Sequence, residues 1–83
     1  MDVPHNILIE KFGESLGLDK SEQIIDSALA KSGLKRSHIY QHDDVLQLLS
    51  QIRDDNSGYI KIISNILITK LRLSQMNENI TLD

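Results

Sequence analysis

The stretch that most restricts the fold is "YIKIISNILITKLRLSQM", residues 59–76. Its β-branched residues would suit a strand, and "NSG" at 56–58 could serve as a hairpin turn before it. The periodicity decides against that. Lys61, Asn65, Thr69 and Arg72, then Met76, recur at spacings of three and four, which aligns them along one narrow helical stripe. Eight of the other thirteen residues in the segment are Ile or Leu. The apolar arc therefore covers roughly two-thirds of the helix, well beyond the ~100° stripe of an ordinary surface helix. Such a helix is either the centre of its domain or shared with a second chain.

Ile60, Ile63, Leu67 and Leu71 fall on one side of it, and Ile62, Ile66 and Leu73 on another. A helix over 59–76 is about 27 Å long at 1.5 Å per residue. Three shorter helices are too little to cover both sides. The expectation is a homodimer with Ile62, Ile66 and Leu73 at its interface, since a two-fold contact needs only one self-complementary patch.

The rest of the chain supplies those three helices. "SLGL" at 15–18 and "KSGL" at 31–34 have one form: Gly to close a helix, then an apolar residue to fold back on the last turn. With Gly33 just past the end, Leu34 and Leu29 are the pair a Schellman motif brings together, and Gly17 with Leu18 should repeat it. The first helix then runs from Pro4 or His5 to Leu16, with Leu8, Ile9, Phe12 and Leu16 inward. Gly13 marks a place where other chain comes close. The second helix opens at "DKSE", where Asp19 and Glu22 form a capping-box variant, and turns Ile24, Ile25, Ala28 and Leu29 inward. The third carries Val45, Leu46, Leu48, Leu49 and Ile52 on one side, with Asp43 and Asp44 in its first turn. Helices are expected near 5–16, 20–32, 42–53 and 59–76, with no sheet. Residues 1–76 form one domain, and 77–83 a flexible tail. The fold class is all-α: a compact four-helix domain with a long, broadly apolar C-terminal helix.

Composition narrows the function. Ile and Leu supply 24 of the 83 residues, enough for one core. There is no Cys, hence no disulfide, thiolate metal site or Cys nucleophile, which fits a reducing, cytoplasmic setting. No basic segment leads into an apolar run at the start, so no secretory signal is expected. No run reaches the ~18 apolar residues of a membrane span, so no membrane is expected as a partner. The net charge of −3 argues against a non-specific nucleic-acid coat. That charge is striped: residues 27–42 and 56–77 hold no Asp or Glu, yet carry Lys31, Lys35, Arg36, Lys61, Lys70 and Arg72.

"AKSGLKRSHIY", residues 30–40, has the spacing of a helix-turn-helix. Gly33 takes the turn position, Leu34 the apolar turn position, and Ile39 the core anchor of a second helix. Lys35, Arg36, Ser37, His38 and Gln41 would then open a recognition helix. Against this, Leu29 stands where the motif has a small residue, and Asp43 and Asp44 would face phosphate on the next turn. The competing reading is a Schellman stop, then a connector anchored by Tyr40, with the helix starting near His42.

Other chemistry is thin. His38 and His42 are spaced i, i+4 with Asp43 adjacent, a metal arrangement only if the segment is helical. "RDDNSG" at 53–58 lacks the first and last ligands of a calcium loop. The four glycines stand apart, so no phosphate loop exists. Glu10 and Glu14 read as a solvated pair beside Lys11. No catalytic residue, metal or cofactor is expected. The chain reads first as a non-enzymatic interaction or regulatory module, whose partners are a second copy of itself and an unidentified protein. The alternative is a dimeric DNA-binding regulator using residues 29–42.

Overall fold

The computed structural model describes residues 2–76. In chain order it holds β1 (Val3–Pro4), α1 (His5–Leu16), α2 (Leu18–Ser32), β2 (Ile39–Tyr40), α3 (His42–Asp55) and α4 (Tyr59–Met76). The domain is all-α in architecture, and each helix follows the spacing of its apolar residues. Leu8, Ile9 and Phe12 of α1 are buried. So are Ile25, Ala28 and Leu29 of α2, Val45, Leu48, Leu49 and Ile52 of α3, and Leu67, Ile68 and Leu71 of α4. Leu16, Ile24 and Leu46 pack at the margin of this core. The expected tail at 77–83 lies outside the described residues.

Neighbours in sequence are neighbours in space: α1 packs on α2, α2 on α3, and α3 on α4, while α4 touches α1 only slightly. The long helix therefore flanks the bundle and is not its centre. One face of α4 lies on the core, and the other has no described helix against it.

The ends of α2 show one expectation met and two corrected. Gly33 adopts φ 71° and ψ 18°, the left-handed conformation that glycine takes without strain. Its N–H donates to the Ala30 carbonyl, and the Leu34 N–H to the Leu29 carbonyl at 3.0 Å, the paired bonds of a Schellman motif. Gly17 does not repeat this. Its φ of 84° with ψ 158° is an extended conformation open essentially to glycine alone. It ends α1 by donating to the Gly13 carbonyl and begins α2 by accepting from the Ser21 N–H. The second helix thus starts at Leu18, ahead of Asp19. Gly17 is its cap, no side chain caps it, and Asp19 lies in the first turn. Leu18 does fold back, and this accounts for Gly13: a Cβ there would sit 2.9 Å from Leu18 Cδ2.

The expectation of no sheet is also corrected. β1 and β2 pair antiparallel, with Val3 opposite Tyr40 and Pro4 opposite Ile39. The pairing brings the residues just before α1 against those just before α3, so both helices leave one small bridge.

Candidate protein interface

Two segments carry the site residues expected from sequence: the connector between α2 and α3, and α4. The connector is tied down along its length. After the Schellman turn the chain runs without helix to Gln41, which precedes the first turn of α3 and accepts from the Val45 N–H. Tyr40 is buried at 5% exposure. Its phenolic oxygen lies 2.7 Å from His5 Nδ1, and the Ser37 N–H donates to it at 3.2 Å. The His5 backbone N–H donates to the His38 carbonyl at 2.9 Å.

The Tyr40 hydroxyl accepts from the Ser37 N–H and shares a second hydrogen bond with His5 Nδ1, whose direction follows the imidazole tautomer. The electrostatics favour the neutral imidazole. Burial, followed by the neighbouring Arg36 charge, lowers the pKa of His5 below the ordinary 6.5.

The recognition helix expected to open at Lys35 is therefore not formed. Lys35, Arg36, Ser37, His38 and Gln41 are all exposed, but on an extended connector. The reason is local and long-range at once. The Gly33 turn ends α2, and pairing with β1 holds Ile39 and Tyr40 extended. Arg36 also lies 3.5 Å from Asp26 on α2. His38 and His42 do not share a helix, so their spacing no longer aims two rings at one point. Among the described residues no cluster of three His, Asp or Glu could hold a metal. No described helix is long and apolar enough to cross a membrane.

On α4 the sequence-derived division holds. Leu67 and Leu71 are buried and Ile60 and Ile63 partly so, whereas Ile62 is 54% exposed, Ile66 50% and Leu73 42%. Tyr59 joins this outer face at 77% exposure. Thr69 is exposed as well, so Tyr59, Ile62, Ile66, Thr69 and Leu73 follow one another at spacings of three, four, three and four. That is the repeat of a coiled-coil seam. Between Asn65, Ile66, Thr69 and Lys70 lies an open depression of about 370 Å³, where the small Thr69 leaves room for a side chain from outside.

Sequence reasoning found Ile62, Ile66 and Leu73 but missed Tyr59 and Thr69 as members of the same seam. The three-four spacing was the available signal. It also missed Ser21 and Ser64, both fully buried. The Ser21 hydroxyl donates to the Ile9 carbonyl at 2.8 Å and ties α2 to α1, while Ser64 donates to the Ile60 carbonyl one turn back.

The remaining surface offers little chemistry. A groove of about 240 Å³ between α2 and α3 is crossed by the Lys31–Asp55 ion pair at 3.1 Å. Hydrogen bonds from Gln51 and Lys31 lower the Asp55 pKa below its ordinary 3.8. Comparison with known proteins returns no matching family model, no matching curated protein and no matching solved structure.

Proposed function

We propose that this chain is a non-enzymatic helical interaction module that self-associates through the outer face of α4. One observation carries the reading: Ile62, Ile66 and Leu73 stay about half exposed on a helix whose other face completes the core. Covering the open half of each would contribute roughly 1 kcal/mol per side chain. A second copy related by a two-fold axis can do this with the same residues. In an antiparallel pairing, Ile66 lies near the axis and Tyr59 of one copy near Leu73 of the other. Lys61, Lys70 and Arg72 do not oppose such packing sterically, because their stems can lie along apolar surface while the charges stay in water.

Sedimentation equilibrium at micromolar concentration tests this. The unsubstituted chain should give twice its own mass, and Ile62→Glu combined with Ile66→Glu should give the monomer. A monomer mass without substitution contradicts the proposal. A dimer mass that survives both substitutions moves the interface elsewhere.

A nucleic-acid role for Lys35, Arg36, Ser37, His38 and Gln41 is the second reading. It now belongs to an exposed loop and not to a helix. Salt-dependent DNA affinity that falls on Lys35→Ala with Arg36→Ala would support it. The absence of any such affinity removes it.

A further inference from the structure

We infer that the outer face of α4 also takes an acidic amphipathic helix of another protein, which replaces the second copy on the same seam. The inference rests on the reading of that face as a protein interface, and charge carries it further. Residues 56–76 contain no Asp or Glu, and Lys61, Lys70 and Arg72 lie among the seam residues in sequence. Lys61 and Arg72 are exposed, and Lys70 is partly buried beside the depression at Ile66 and Thr69. The ion pairs among the described residues lie elsewhere, at Lys31–Asp55, Arg36–Asp26 and Arg53–Asp54. Lys70, next to Thr69, and Arg72, next to Leu73, thus flank the apolar seam, and among the described residues neither is paired with a carboxylate, while Lys61 lies farther round the helix.

A second copy does not supply one. In either orientation α4 of a second copy brings further cations, and no Asp or Glu from residues 59–76, to the seam. A helix with apolar residues at the same three-four spacing, flanked by Glu or Asp, would fill the seam and pair Lys70 and Arg72. In coiled coils these flanking positions select the partner more than they supply affinity. The two occupants therefore respond to salt in opposite ways. Screening relieves repulsion between two copies of α4 and weakens attraction to an acidic helix.

The shape favours a protein helix over a lipid surface. The exposed apolar residues Tyr59, Ile62, Ile66 and Leu73 form a narrow strip, whereas a helix lying in a membrane interface buries a broad apolar face. The chain as a whole carries −3, and Asp54 and Asp55 closely precede α4, so anionic lipid would be repelled nearby.

Two labelled synthetic peptides test the inference against the full chain. Both have Leu and Ile at seam positions; one carries Glu at the flanking positions and the other Lys. Binding is followed by fluorescence anisotropy at low and moderate salt. The Glu peptide should bind at least about tenfold more tightly than the Lys peptide, and weaken as salt rises. Lys61→Glu with Lys70→Glu and Arg72→Glu should reverse the preference. Circular dichroism checks that this variant folds, and the corresponding Gln triple substitution should erase the preference in case it does not. Equal binding of the two peptides, or no binding of the Glu peptide, overturns the inference. So does adsorption to phosphatidylserine vesicles without Glu-peptide binding. Sedimentation without peptide separates the two proposals. A monomer that binds the Glu peptide keeps this inference and loses self-association; a dimer that ignores it does the reverse.

Discussion

The connector at 34–41 and the outer face of α4 differ sharply in how far the rest of the domain holds them. In the sequence the stretch 33–42 around the connector has the more functional look, with a turn glycine, two adjacent cations and two histidines within ten residues. Residues 59–76 read as a helix too broadly apolar for an ordinary surface position, either central or shared with a second chain. In the structure the connector is held by the Schellman bonds, the β1–β2 bridge and the His5–Tyr40–Ser37 network. Among the described residues no other element covers the outer face of α4. A local motif is settled by contacts from far along the chain, here from His5, thirty-five residues before Tyr40. A surplus of apolar side chains beyond what the core can use has no such internal explanation. It is the better pointer to a partner.

The two faces of α4 should differ most in what they contribute to folding stability. Leu71, fully buried, should cost about 2–5 kcal/mol of folding stability when changed to Ala, from lost burial and the cavity left behind. Ile66→Ala on the outer face should leave the folding stability of the monomer within about 0.5 kcal/mol of the parent. Urea unfolding at a concentration low enough to keep the chain monomeric measures both. Comparable losses would mean the outer face is part of the fold.

In the connector, Tyr40→Phe keeps the ring and removes the hydroxyl. It strips a partner from His5 Nδ1 and from the Ser37 N–H, so it should cost about 1–3 kcal/mol. No loss would show that the connector is not anchored there.

The pH dependence gives a smaller effect with a definite sign. His5 has a folded pKa below 6.5, so the unfolded chain takes up its proton first as pH falls. Stability should therefore decline as pH drops below about 6.5, until the folded group also titrates. His5→Gln should flatten that part of the curve. Asp55 acts lower. Its depressed pKa contributes stability that is present above 3.8 and lost as pH falls through the folded value. A curve in which the His5→Gln chain and the parent decline alike between pH 6.5 and 5 would contradict the assignment of neutral, buried His5.

Much of the helical frame was legible in the sequence. The inward sets on α1, α2 and α3 and the division of α4 into two faces follow directly from apolar spacing. Gly33 followed by Leu34 announced its own capping bonds. What was not legible depends on distance or on single atoms. β1 and β2 are two residues each, too short for any alternation to register, and exist because Val3 and Tyr40 meet across the fold. Ser21 reads as a surface residue of a helix start until the Ile9 carbonyl is placed beside it. Gly17 carries the same "GL" signature as Gly33, yet α2 restarts at once, and the conformation that allows this leaves no trace in residue type. On the candidate interface, the three aliphatics were legible because exposure is the complement of a spacing pattern. The occupant of the seam was not, because it belongs to another chain.

The sequence contains no Cys, so one can be placed at will. The most direct test of self-association through α4 is oxidative cross-linking of Ile66→Cys, with Glu14→Cys on the exposed side of α1 as the control. A two-fold seam centred on Ile66 brings the two new thiols together across its axis, in range of a disulfide with little backbone movement. At micromolar concentration Ile66→Cys should convert to covalent dimer rapidly, Glu14→Cys slowly, and Ile62→Glu added to Ile66→Cys should abolish the difference. Equal, slow cross-linking of Ile66→Cys and Glu14→Cys would show that the chain does not self-associate through α4.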